Sequence, residues 1–218
     1  MPAAGIEFDV CYEPADTVRG LGGDWYDVLR LPKNRTYFAV GDIVGHGLQA
    51  VEDMAALRGA ARTLAYRGGS PAQVLADLND FTEDVVHSEF ATVVIAVVDH
   101  TAGVLTYSSA GHPPAFLRKA DSGRVLRLSD ANGPLLGPLR TAAYDDGVIR
   151  VDSGDVLVMY TDGLVERPGL AVTAGISRAE RLIAEWPAAE LLDCEALAGK
   201  LVPPPRSDDI CVLAVRFD

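Results

Sequence analysis

Four aspartates stand where an apolar run meets a tight turn rich in glycine or proline. The segments are Gly22-Gly23-Asp24-Trp25, Val40-Gly41-Asp42-Ile43, Tyr160-Thr161-Asp162-Gly163 and Ser207-Asp208-Asp209-Ile210. Each has an ordinary reading by itself. Asp-Gly is a common turn pair, an Asp-Asp pair after three prolines can simply be solvated, and Gly-Gly-Asp can form a bulge. Two features count against four coincidences. Asp42 lies between Phe38-Ala39-Val40 and Ile43-Val44, and Asp162 follows Val156-Leu157-Val158-Met159. A carboxylate in such surroundings is unfavourable unless it is paired or ligates a cation. Hard divalent ions such as Mg²⁺ and Mn²⁺ prefer carboxylate oxygens and keep several waters. Carboxylates converging at strand ends would hold two such ions. Two ions roughly 3.5–4 Å apart share one water, ease its deprotonation and stabilise an in-line displacement at phosphorus.

Strand ends must therefore be brought together. Ile6 to Tyr12 alternates apolar and polar residues and predicts a strand. Asp24 to Leu31 and Thr36 to Ile43 predict two more, turning at Pro32 to Arg35. Gly45-His46-Gly47 then opens a helix from Leu48 to about Arg67, with Val51, Met54, Ala55, Arg58, Ala61, Arg62 and Ala65 at three-and-four spacing. Ser70 and Pro71 suit the cap and first turn of a second helix. Its stripe is Val74, Leu75, Leu78, Phe81, Val85 and Val86. Three hairpins are expected next: Ala91 to Asp99 with Val104 to Ser109, Ala115 to Lys119 with Arg124 to Leu128, and Gly147 to Val151 with Val156 to Tyr160. Helices over Ile176 to Trp186 and Ala188 to Leu201 and a strand over Ile210 to Phe217 close the chain. Strands and helices do not alternate, so an α+β fold is expected, with antiparallel sheets and helices packed on their outer faces. No linker or repeat divides it, and residues 1–218 read as a single domain.

The 218 residues carry 19 basic and 31 acidic side chains, a net charge of −12. That balance argues against nucleic-acid binding, which needs Lys and Arg to displace counterions. Cys11, Cys194 and Cys211 form no C-x-x-C pair, so neither a disulfide framework nor a thiolate zinc site is expected, in keeping with a cytoplasmic location. The apolar run Phe90 to Val98 is too short to span a bilayer as a helix, and no signal peptide is visible. An apolar strip could support a homodimer, but no residues identify one.

In order along the chain, these acidic segments resemble those of the PPM (type 2C) metal-dependent Ser/Thr phosphatases, in particular the bacterial SpoIIE/RsbU branch. The resemblance runs from about Phe8 to Arg216. It includes Met54-Ala55-Ala56-Leu57-Arg58, Ser70-Pro71-Ala72 through Leu78-Asn79, Ala110-Gly111-His112-Pro113-Pro114 and Gly133-Pro134-Leu135-Leu136-Gly137. It implies a four-layer αββα sandwich and two Mn²⁺ or Mg²⁺ ions. It also implies roles: Asp42 bridges the ions, the Ile43 carbonyl completes one shell, Asp162 and Asp209 hold the other ion, and Asp24 lies beside the site directly or through water. Asp27 and Asp208 are weaker candidates. The implied reaction is hydrolysis of phosphoserine or phosphothreonine by a metal-activated water with no phosphoenzyme. The implied substrate is a phosphorylated STAS-type anti-anti-sigma factor in partner-switching regulation.

The family's candidate acid His falls two residues after the bridging Asp, where this chain has Val44. His46 is expected to cap the helix start, His112 to be structural, and Arg19 to be a solvated loop residue sooner than a phosphate ligand. The stretch from Arg167 to Gly175 reads as shorter than in relatives, which bears on substrate access. The sensor domain that often precedes such a domain is not in this sequence. Two other classes compete. A silent PPM-like scaffold would lack a metal carboxylate, and Asp42, Asp162 and Asp209 are all present. A structural Ca²⁺ protein would need an Asp-x-Asp-x-Asp-Gly loop, and none occurs.

Overall fold

A computed structural model describes residues 5–14, 22–45, 47–86, 88–167, 169–203 and 208–218. In chain order the elements are β1 (Ile6–Glu13), β2 (Trp25–Leu31), β3 (Arg35–Ile43), α1 (Leu48–Tyr66), α2 (Pro71–Val85), β4 (Ala91–Asp99) and β5 (Val104–Ala110). There follow β6 (Ala115–Arg118), β7 (Val125–Leu128), β8 (Asn132–Gly133), β9 (Gly147–Arg150), β10 (Val156–Tyr160), α3 (Val172–Glu185), α4 (Cys194–Leu201) and β11 (Ile210–Phe217). One sheet has the order β1-β11-β10-β6-β7 and the other β2-β3-β4-β5-β8, with β9 also on β5. All pairings are antiparallel except the short β5–β8 contact.

The near-continuous apolar run of β4 reflects burial on both faces. Val94, Ala96 and Val98 meet Leu157, Met159, Leu213 and Val215 between the sheets. Val93, Ile95 and Val97 face Leu57, Val74, Leu75 and Leu78 of α1 and α2. On the far side, Val158, Tyr160, Val212 and Ala214 pack on Ile183, Leu197 and Leu201 of α3 and α4. The layers are helix, sheet, sheet, helix, as the sequence led us to expect. The β2–β3 turn uses Lys33 and Asn34 with φ of 61° and 54°, the two left-handed positions of a tight hairpin. Ser70 and Gln73 form a capping box ahead of α2, with Pro71 in its first turn.

Several expectations need correction. β9 and β10 are not a hairpin: β9 pairs with β5 in one sheet and β10 with β6 and β11 in the other. The Asp152-Ser153-Gly154-Asp155 turn therefore carries the chain between sheets. The buried stripe of α1 is Ala50, Asp53, Leu57, Ala61 and Ala65. Arg58 and Arg62 lie off it and reach Asp27. The helix expected over Ala188 to Leu201 is a short 3-10 turn and then α4, which Asp193 caps by accepting from the Ala196 N–H. α3 begins at Val172, earlier than expected. The three cysteines are free and buried. Among the described residues, no helix is long and apolar enough to cross a membrane.

Candidate active site

Register assembles the acidic residues at one end of the sandwich. Trp25 pairs with Gly41 across β2 and β3, which brings Asp24 level with Asp42. In the other sheet Tyr160 pairs with Val212, and the pairing continues as Thr161 N–H donates to the Cys211 carbonyl over 3.0 Å. Asp162 and Asp209 thus lie together, in a turn so close that a Cβ on Gly163 would come within 1.9 Å of the Asp209 carbonyl oxygen. Thr161 ties the sheets together. Its hydroxyl donates to Asp24 Oδ2 at 2.6 Å and accepts from the Cys211 N–H at 2.9 Å.

Gly22 and Gly23 thread the cleft between the two carboxylate pairs. A Cβ on Gly22 would lie 1.8 Å from Asp209 Oδ2 and 2.8 Å from Tyr12 Oη. One on Gly23 would lie 2.3 Å from the Ile43 carbonyl oxygen and 3.2 Å from Asp42 Oδ1. Any side chain there would push into the Ile43 carbonyl and the two carboxylates, so both positions need glycine for close approach. A recess of about 250 Å³ opens beside Asp24, lined by Tyr12, Trp25, Tyr26, Met54 and Arg58.

His112 braces the same end. Its Nε2 lies 2.9 Å from the Tyr160 carbonyl, which only accepts, so Nε2 carries the proton. Nδ1 then accepts from the Thr92 hydroxyl at 2.7 Å, and Thr92 is the β4 partner of Asp42. Burial pushes the imidazole down to about 4, so the ring is neutral near pH 7 and fixed in one tautomer. This agrees with the structural role expected of it.

The carboxylates are desolvated and repel one another. Burial, then Asp42, pushes Asp24 up to about 9, against the opposing hydrogen bond from Thr161. Burial, then Asp42 and Asp208, pushes Asp162 up to about 7. Asp42 is raised by burial and by Asp208 and Asp209, and Asp208 by burial and Asp209. The interaction between the two carboxyls raises Asp24 and lowers Asp42, so a shared proton favours Asp24. The phenol of Tyr12 is pushed up to about 12 by burial, Asp209 and Asp24, and so remains a donor at the rim.

This donor set fits hard divalent ions. It offers carboxylate oxygens and a backbone carbonyl, and the leading electrostatic neighbours of each raised carboxyl are other acids. Among the described residues, no three His, Cys, Asp or Glu side chains are drawn close enough to grip one ion alone. Mg²⁺ is commonly held by one or two carboxylates and several waters, which suits a more open set. Asp24, Asp42, Ile43, Asp162 and Asp209 all lie at this end of the sandwich. Asp208 joins them electrostatically. Asp27 does not: it faces α1 and pairs with Arg62 at 3.3 Å and Arg58 at 3.6 Å. His46 and Arg19 lie outside the described residues. Residue-by-residue reading missed the tether formed by Thr161 and the rim position of Tyr12. A hydroxyl between a buried strand and Asp162 was the available signal for the first; nothing local marked the second.

The architecture, with the carboxylates at the sandwich mouth, is that of a PP2C-type (PPM) phosphatase domain. Residues 32–218 match the family described as Stage II sporulation protein E (SpoIIE), and the chain belongs to that family. It is 31% identical over 147 residues to the phosphoserine phosphatase RsbU of Bacillus subtilis, covering 67% of this chain and 43% of that protein. Among solved structures, it is similar to the RsbU and RsbW domains of Rv1364c from Mycobacterium tuberculosis, with a TM-score of 0.86 and 31% identity over 98% of this chain and 60% of that one. The PP2C phosphatase domain of SpoIIE from Bacillus subtilis, solved with a fragment of its regulatory domain, shares the fold at a TM-score of 0.83 and 16% identity, over 100% of this chain and 64% of that one. The chain spans about two fifths of the length of the curated relatives it matches.

Proposed function

We propose that this chain is a metal-dependent protein phosphatase that hydrolyses phosphoserine or phosphothreonine on a STAS-type anti-anti-sigma factor, in cytoplasmic partner switching. The observation that carries the reading is the convergence of Asp24, Asp42, Asp162 and Asp209 from two sheets, with acids among the neighbours that raise the first three. Membership of the SpoIIE family and the likeness to a phosphoserine phosphatase support it.

In this reading Asp42 and the Ile43 carbonyl would hold a pair of Mn²⁺ or Mg²⁺ ions from one sheet, and Asp162 and Asp209 would hold them from the other. Bound there, such ions would supply Lewis acidity to activate a water and to offset charge on the phosphoryl oxygens. Asp24 would lie beside the centre, its carboxyl fixed by the Thr161 hydroxyl at 2.6 Å. Tyr12 stays protonated at the rim, where its hydroxyl can donate to an oxyanion. The recess beside Asp24 leaves room for a residue flanking the phosphorylated one. The buried cysteines take no part, since burial raises the thiols of Cys194 and Cys211 away from thiolate.

The test is hydrolysis of an aryl phosphate and of a phosphoserine peptide by the full chain. Release of phosphate should require added Mn²⁺ or Mg²⁺, stop with chelator and disappear in Asp42→Ala. Turnover that survives chelation or Asp42→Ala would refute the reading.

A further inference from the structure

Tyr12 and Asp24 belong to two cavities at once. Both stand at the carboxylate cleft: a Cβ on Gly22 would lie 2.8 Å from Tyr12 Oη, and Asp24 Oδ2 accepts from Thr161. Both also line the recess of about 250 Å³, with Trp25, Tyr26, Met54 and Arg58. The recess is therefore continuous with the cleft. Its Trp25 wall is fixed. That residue is buried, and its indole lies so close to Gly41 that a Cβ there would come within 2.7 Å of the ring. Met54 and Arg58, one turn apart on α1, also line a second groove of about 280 Å³ that takes in Ala55, Gly59 and Arg62.

Among the described residues lining the recess, Arg58 is the one cation. Asp27 does not use up its charge. That buried carboxylate lies 3.3 Å from Arg62 Nε and 3.6 Å from Arg58 Nη2, so one negative charge faces two positive ones and Arg58 has the looser contact. The Arg58 side chain is 39% exposed. It can therefore turn guanidinium donors towards a carboxylate that enters the recess.

We propose that Arg58 is a specificity-determining residue, selecting a glutamate beside the phosphorylated residue of the protein substrate. The inference rests on the phosphatase reading and names the sequence its site prefers. A recess below the roughly 300 Å³ of small-ligand pockets takes a single side chain. Trp25, Tyr26 and Met54 offer apolar walls to the methylenes of that glutamate, and Arg58 meets its carboxylate. The phosphoryl group at the cleft and the glutamate at Arg58 then fix two points of the substrate, and so its direction across the mouth.

The substrates for the test are an aryl phosphate and alanine-based phosphoserine peptides, with one Glu or one Gln at each of the two positions on either side of the phosphoserine. Initial rates are measured with the full chain and Mn²⁺. At one position or more, kcat/KM should favour Glu over Gln by about fivefold, and the ratio should shrink at high ionic strength. Arg58→Gln should abolish it, Arg58→Lys should retain it, and Arg58→Glu should prefer Lys in place of Glu. If a variant does not fold, the ratio in wild type and its salt dependence decide. Equal kcat/KM for Glu and Gln at every position overturns the inference, as does a ratio that survives in Arg58→Gln. Hydrolysis of the aryl phosphate without discrimination among peptides overturns this inference alone. Absence of hydrolysis of every substrate overturns the phosphatase reading, and this inference with it.

Discussion

At the two ends of β10 the protein buries carboxylates in opposite ways. Asp155, just before the strand, pairs with Lys119 and accepts from the backbone N–H groups of Ala120 and Asp152 at 2.8 and 2.9 Å. Beyond the other end, Asp162 meets Asp42 and Asp208, and Asp24 nearby has one hydroxyl and two further acids. The buried carboxylates that serve the fold follow the Asp155 pattern. Asp53 accepts from the Ser88 N–H at 2.9 Å and the Ser88 hydroxyl at 2.7 Å, and Asp27 faces two arginines. Burial alone therefore does not mark a ligand. What distinguishes the cleft, among the described residues, is burial among like charges, which in the proposed reading a divalent cation would neutralise.

Substitutions at the two ends should separate activity from stability. Asp42→Ala should lower phosphate release by at least about a thousandfold, roughly 4 kcal/mol. The melting temperature of its chelated form should not fall, because a repelled charge has been removed. Asp155→Ala should do the reverse. It strands Lys119 and two N–H groups, and should cost about 3 kcal/mol in denaturant unfolding, while the folded fraction keeps its turnover per molecule. Equal loss of activity in both variants would dissolve the contrast.

Smaller effects sharpen it. His112 is held neutral with a pKa of about 4 against the usual 6.5. The unfolded chain therefore takes up a proton that the native state refuses. Stability should fall as pH drops from about 6.5 to about 4, by up to about 3 kcal/mol, with no contribution above that window. Urea titrations of wild type and His112→Gln across this range would show whether the slope belongs to this ring. Thr161→Val removes the donor to Asp24 and the acceptor for the Cys211 N–H. It should cost about 1–2 kcal/mol of stability and about tenfold in divalent-ion affinity, both readable by calorimetry.

Much of this was legible in the sequence because strand ends and turns leave local signs. The β2–β3, β4–β5 and β6–β7 hairpins and the Ser70 cap follow from periodicity and turn chemistry, whereas the four-layer arrangement was implied by the family resemblance. The crossing at Asp152 to Asp155 did not, because a hairpin turn and a turn between sheets have the same composition. Only the partner strands, β5 and β11, distinguish them. The α1 stripe was misplaced by about one residue because Arg58 and Arg62 share helical spacing with the alanines. Their real partner, Asp27, is set by tertiary packing. In the site, the aspartates stood out as charges within apolar runs. Thr161 and Tyr12 act through contacts with residues far away in sequence, which no local pattern reveals.

The acidic mouth of the sandwich is proposed to be a divalent-cation centre. The direct measurement is calorimetric titration of Mn²⁺ into the chelated chain near pH 7 in buffers of different ionisation enthalpy, for wild type, Asp42→Asn and Asp155→Asn. Wild type should bind two ions saturably, with protons released from Asp24 and Asp162, whose carboxyls are raised to about 9 and about 7. Asp155→Asn should behave as wild type does, and Asp42→Asn should lose binding. Binding that is absent in wild type, or unaltered in Asp42→Asn, would contradict it.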